Sequence, residues 1–165
     1  MDRFKLMKEL GASPESFGFK EDVPKEDFDR FCLIKELWSS IVSKDDTSWI
    51  DIYIKGSQVS GAANYIKRFG RHLSHMRSVG MSDSDIAEVI YISQYMALSE
   101  VIGVIDMGVA SKAKSKVGKS NEISDFGLFF CDEKGNPSCW VGYLHEFMEE
   151  SAPDGQKEGY VDQRT

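Results

Sequence analysis

The chain reads as an α+β fold, four or five helices with a small antiparallel sheet, on three observations. Apolar residues recur at three- and four-residue spacing through most of residues 25–105, the period of helices that bury one face. That period is interrupted by Trp49-Ile-Asp-Ile-Tyr-Ile54, where the isoleucines alternate as they would on a strand. Residues 126–141 then set two apolar runs on either side of Asp132-Glu-Lys-Gly-Asn-Pro137, the pattern of a C-terminal β-hairpin.

Each element has a local cause. Phe4, Leu6, Met7 and Leu10 before Gly11 predict a first helix with a glycine stop. Pro24 suits the first position of a second helix, and Glu26, Asp27 and Asp29 suit the positive end of its dipole. Phe28, Phe31, Cys32, Leu37, Trp38, Ile41 and Val42 form its stripe, and Asp45-Asp46 ends it. The isoleucine strand follows before Gly56, with Ile50, Ile52 and Ile54 on one side. A third helix is predicted from about Gln58, with Val59, Ala62, Ala63, Ile66, Phe69, Leu73 and Met76 facing inward up to Gly80. Ser82 and Asp85 resemble a capping box and open a long apolar helix carrying Ile86, Val89, Ile90, Met96, Ala97, Val101, Val104 and Ile105, placed as the central helix. Residues 111–120 are small, polar and basic and read as a connection. A short helix over Tyr143–Glu150 follows the hairpin. The isoleucine strand is expected beside that hairpin, because two strands alone are marginal in water.

At 165 residues the chain is expected to form a single globular domain over 1–150 with a flexible tail over 151–165. A domain of that size buries roughly 70% of its unfolded surface and needs no disulfide or metal for stability. The first ten residues mix charges through every turn, unlike a secretory signal or an anchor, and no later run comes near the roughly 20 apolar residues of a spanning helix. Three cysteines, Cys32, Cys131 and Cys139, lie among apolar residues as free thiols, which fits a reducing cytoplasm.

Charge is unevenly spread. The net charge is −7, yet residues 47–80 carry +4 and residues 111–119 another +4, so the acidic excess falls in 1–46, 81–110 and 120–165. Such a surface repels nucleic acid and attracts basic proteins with salt-sensitive steering. Lys67, Arg68, Arg71 and His75 line one side of the third helix, but the next helix opens with Asp83, Asp85 and Glu88, which would oppose phosphates in a helix-turn-helix reading. A solvated basic face, or one paired with the acidic helix behind it, is the expectation.

Few residues point to chemistry. His72 and His75 stand three apart with no carboxylate of their helix at ligand spacing, and structural zinc takes about four ligands. Cys131, Cys139 and His145 are irregularly spaced, which favours packing over coordination. His145 and Glu146 are adjacent and would diverge by about 100° on a helix. No nucleophile elbow, phosphate-binding glycine loop, Cys-x-x-Cys or His-Glu-x-x-His is present. No metal or cofactor is expected.

Two stretches carry resemblances. His72-Leu-Ser-His-Met-Arg-Ser-Val-Gly80-Met-Ser-Asp-Ser-Asp-Ile-Ala-Glu88 is similar to a segment of carboxymuconolactone decarboxylase-like and alkylhydroperoxidase D-like proteins. The resemblance implies a small enzyme using His72 for proton transfer. The thiol pair of the peroxidase members is replaced by Tyr65 and Arg68, so peroxidase chemistry is not implied. The second runs from Gly80-Met-Ser through Ile105-Asp106-Met-Gly108, Gly127-Leu-Phe-Phe-Cys-Asp-Glu-Lys-Gly-Asn-Pro137 and Leu144-His-Glu-Phe147 to Pro153-Asp-Gly155. It resembles small uncharacterised bacterial proteins associated with the immunity partners of secreted toxins.

These readings together lead to an expected function. The chain is expected to be a cytoplasmic acidic protein-binding module, an immunity-type inhibitor of a basic toxin, recognising its partner through Asp83, Asp85, Glu88, Asp132, Glu133, Glu146, Glu149 and Glu150. The alternative is the His72 enzyme. Neither nucleic acid nor membrane is an expected partner, and the long apolar helix could pair with a second copy.

Overall fold

The computed structural model describes residues 2–107, 128–148 and 151. The fold is α+β. In chain order it has α1 (Arg3–Glu9), a 3-10 turn (Pro14–Phe17), α2 (Lys25–Ser39), α3 (Ser48–Ser57), α4 (Asn64–Ser78), α5 (Asp83–Met107), β1 (Phe129–Cys131), β2 (Pro137–Trp140) and α6 (Leu144–Met148). The basic connection expected at 111–120 lies outside the described residues, and of the tail expected over 151–165 only Ser151 is described, where it is buried. The chain divides into two compact units, Ser40–Ala97 and the combination of Met1–Ser39 with Leu98–Thr165.

In the unit Ser40–Ala97, Ile50, Leu73 and Ile86 are fully buried, each worth about 1.5–3 kcal/mol relative to exposure. Trp49, Tyr53 and Phe69 pack around them, with Tyr53 meeting Phe69 edge-on at 5.0 Å and Trp49 stacked on Phe69 at 6.3 Å. The isoleucine segment is here a correction: it is helical, as α3. Its deciding residues are Trp49, Ile50, Tyr53 and Ile54, spaced to cover one helical face against α4, while Ile52 is 66% exposed. The alternation rests on Ile52, which faces mainly solvent. The third predicted helix also starts later, at Asn64, and Val59 is exposed.

The termini follow the expected chemistry. After α4 the Gly80 amide bonds to the Arg77 carbonyl and the Met81 amide to the Met76 carbonyl, a Schellman stop that needs the positive φ glycine adopts. Ser82 and Asp85 then cap α5 reciprocally: the Asp85 amide donates to Ser82 Oγ at 3.1 Å and the Ser82 amide to Asp85 Oδ2 at 3.3 Å.

The long apolar helix expected after Ser82 is present as α5, but it is covered on few of its residues. Ile86, Ala87, Tyr91 and Ile102 are buried, whereas Val89, Ile92, Met96, Val101 and Val104 are exposed. The helix is apolar nearly all round, so its pattern could not tell which side would be covered. From Asp83 to Asp106 it is long and apolar enough by length and composition to cross a membrane, and only 11% of that apolar stretch is buried. The expectation that no segment reaches that threshold is therefore corrected. Serines, Gln94 and Glu100 break the apolar run without breaking the helix.

The other unit is built on α2. Phe31, Ile34 and Trp38 are buried at three- and four-residue spacing, and Trp38 Nε1 donates to the Met148 carbonyl at 2.9 Å, joining α2 to α6. Phe17 stacks on Phe147 at 5.0 Å, and Met7, Val23, Val141 and Leu144 complete the interior. β1 and β2 pair antiparallel, with Phe129 opposite Trp140, Phe130 opposite Cys139 and an irregularity before Cys131. Because residues 49–54 are helical, the sheet has two strands among the described residues. Its base is secured by the Val141 amide bonding to the Leu128 carbonyl at 2.8 Å and by Arg30 Nη2 bonding to the Trp140 carbonyl at 3.3 Å.

Candidate functional site

The most distinctive surface lies where the hairpin runs into α6. Gly142 is buried, and a Cβ there would lie 2.4 Å from the Trp140 ring, so only glycine lets the indole close over the backbone. Tyr143 follows at φ +60°, the one described non-glycine residue with positive φ, a conformation costing about 1–3 kcal/mol. That turn sets its ring edge-on to Trp140 at 5.6 Å, and the Arg30 guanidinium lies 5.9 Å from the tyrosine ring centre. Phe129 stands opposite Trp140 on the neighbouring strand, where cross-strand side chains share a face. All three aromatics reach solvent: Phe129 is 53% exposed, Trp140 37% and Tyr143 51%.

The support beneath them is polar and nearly dry. The Arg30 side chain is 12% exposed, with Nη1 donating to Asp27 at 2.7 Å and a buried Nε that has no hydrogen-bond partner among the described residues. Asp106, near the end of α5, is 6% exposed at its side chain and accepts from the Leu144 and His145 amides, both at 2.9 Å. It thus serves α6 as a cap brought in from a distant part of the chain. The same carboxylate meets His145 Nδ1 at 2.5 Å, which fixes the imidazole and leaves its other edge to solvent.

The carboxylates expected to recognise a partner have divergent fates, and they divide between the two units. Asp83 is clamped by Arg77 through two bonds of 2.7 Å, and Asp85 belongs to the α5 cap. Asp132 holds the hairpin turn by accepting from the Lys134 and Asn136 amides, both at 2.9 Å, and from the Asn136 side chain. The Asn136 bonds above all keep the Asp132 carboxyl below the usual carboxylate range. Glu88, Glu133 and Glu146 are exposed. Glu149 and Glu150 lie outside the described residues.

His72 is exposed on α4 and has no polar partner among the described residues, whereas His75 faces Ser78 Oγ at 3.5 Å. Cys131 and Cys139 sit on the two strands, and His145 is engaged by Asp106; no cluster of three metal-binding side chains occurs among the described residues. Cys32 and Cys131 line a cleft of about 360 Å³ with Lys25, Asp29 and Glu36. Burial pushes the Cys32 thiol up, and the Asp29 and Glu36 charges push it further, so it stays protonated.

Arg30, Asp106, Trp140 and Tyr143 are not among the site residues expected from the sequence. The available signal was Gly142-Tyr143 directly after an aromatic strand, together with a carboxylate in the apolar second half of a helix. Compared with known protein families, curated proteins and solved structures, the chain matches none.

Proposed function

We propose that this chain is a cytoplasmic protein-binding module of the immunity type, capturing a basic protein on the surface formed by Phe129, Trp140 and Tyr143. The exposed pair Trp140 and Tyr143, held in place by Gly142 and Arg30, carries this reading. Tryptophan, tyrosine and arginine dominate the energetics of protein interfaces, and a ring already fixed in position loses little further freedom on binding. Exposed Glu133 and Glu146 in the same unit, within a chain of net charge −7, favour a cationic partner. The resemblance of residues 80–155 to immunity-associated proteins points the same way.

The test is calorimetric titration of the chain with the product of the neighbouring gene at low and moderate salt. Trp140→Ala and Tyr143→Ala are each expected to weaken binding about 30-fold, the size of a 2 kcal/mol hot spot. Glu133→Gln and Glu146→Gln should have smaller, salt-dependent effects. Unchanged affinity in both aromatic variants would overturn the assignment.

A second reading has its own observation. Val89, Ile92 and Met96 are exposed on one side of α5, where a second copy could cover them. Light scattering that gives the monomer mass across micromolar concentrations removes it.

A further inference from the structure

The cationic stretch of α4 lies outside the surface proposed for partner capture. Gly70 sits where α4 presses on α3: a Cβ there would lie 2.4 Å from Ser57 Cβ and 2.5 Å from the Tyr53 carbonyl oxygen. This close approach brings Ser57 beside the first turns of α4, and the two helices enclose a cleft of about 500 Å³ lined by Ser57, Asn64, Lys67, Arg68 and Arg71. Its lining holds three positive charges, two neutral polar side chains and no carboxylate. The volume falls within the range of about 300–1,000 Å³ typical of small-ligand sites.

The charges there are unspent. The unit Ser40–Ala97 carries six Lys and Arg against six Asp and Glu, so it has no overall need for counterions. Arg77, on the same helix, is neutralised by Asp51 and Asp83, each at 2.7 Å. Lys67, Arg68 and Arg71 make no ion pair among the described residues, and the polar bond of Arg71 is to the Lys67 carbonyl at 3.3 Å. Like charges three and four apart on a helix repel, so an unneutralised trio costs stability unless something else offsets it. Arginine forks and a lysine ammonium suit phosphate oxygens, and Ser57 and Asn64 add neutral hydrogen-bonding groups.

We infer that the Ser57, Asn64, Lys67, Arg68 and Arg71 cleft binds a small phosphate-bearing anion. A nucleic acid strand is disfavoured, because the cationic run is short and the unit as a whole is neutral.

The experiment titrates the full chain with inorganic pyrophosphate and, separately, inorganic phosphate at low salt, read by calorimetry and amide NMR shifts. Saturable binding is expected, tighter for pyrophosphate, with shifts confined to Ser57 and residues 64–71. Arg68→Gln with Arg71→Gln should weaken pyrophosphate at least tenfold, and Arg71→Lys by less. Melting curves recorded alongside establish that the variants fold. Should the double variant not fold, Arg68→Gln alone, an exposed position, is expected to weaken binding by threefold or more. Absence of saturable binding, or full affinity in the folded variants, overturns the inference and leaves the aromatic surface of the other unit unaffected.

Discussion

Replacing Asp106 by Ala tests the assembly of the aromatic surface at its least replaceable polar contact. The wild-type carboxylate is 6% exposed and accepts two amides at the start of α6 and one imidazole nitrogen. Loss of a helix cap costs about 0.5–2 kcal/mol, and hydrogen bonds to a charged acceptor sit at about 1.5–3 kcal/mol. The imidazole bond adds at most about 0.5 kcal/mol, since His145 is 63% exposed and water replaces its partner. Alanine gains about 0.5 kcal/mol of helix propensity over aspartate within α5. The net loss should be about 2 kcal/mol, or about 4–8 °C in melting temperature for a chain of this length. Hydrogen exchange is the sharper assay, because protection should fall first at the Leu144 and His145 amides and then along α6, while Leu73 in the other unit is unaffected. Asp106→Asn keeps an acceptor oxygen and should lose about half as much by the same hydrogen-bond arithmetic. A loss below about 0.5 kcal/mol with unchanged protection at residues 144 and 145 refutes the claim that Asp106 sets this turn.

Other perturbations have distinct signatures. Gly70→Ala should destabilise by about 1–3 kcal/mol despite the better helix propensity of alanine, because the new methyl meets the backbone of α3; a stabilised variant by chemical denaturation contradicts the close approach. Arg77 holds the Asp51 carboxyl below its usual value, chiefly by a side-chain hydrogen bond. With the folded value below the unfolded value of about 3.9, that stabilisation is present above it and lost as pH falls through the folded value. Arg77→Met should therefore flatten the acid limb of a stability profile below about pH 4, and an unchanged limb argues against the pairing. Asp132→Ala should loosen the hairpin turn, seen as faster exchange at the Lys134 and Asn136 amides, whereas Glu133→Gln leaves that exchange alone.

Much of the fold was legible because it is locally encoded. The glycine stops at Gly11 and Gly80, the Ser82 and Asp85 cap and the hairpin turn each follow from residues within five positions of one another. Residues 49–54 were misread because Trp49 and Tyr53 show their helical logic only once α4 supplies Phe69 as their neighbour. The two compact units leave no trace in composition, since one boundary falls inside α5 and the other directly after α2. The aromatic surface was hidden for the same reason: Arg30 and Trp140 are 110 residues apart, and Asp106 meets α6 across 38 and 39 residues. Exposed carboxylates are conspicuous in a sequence, while a long-range support under an aromatic pair is not.

The carboxylates and the aromatics should act at different stages of partner capture. An exposed ion pair contributes about 0–1 kcal/mol once formed, but a net charge of −7 acts before contact by raising the rate of encounter. Burying a large aromatic side chain is worth about 1.5–3 kcal/mol, and that stabilisation exists only after water has left the interface. Added salt should therefore slow association and leave dissociation nearly constant, whereas Trp140→Ala should speed dissociation and leave association nearly constant. Surface plasmon resonance across a salt series separates the two. If Trp140→Ala instead slows association and salt speeds dissociation, the carboxylates form the buried centre of the interface and the aromatic pair is its rim. Asp83, Asp85 and Asp132 already serve an arginine, a helix cap and a turn, so part of their accepting capacity is committed before any partner arrives.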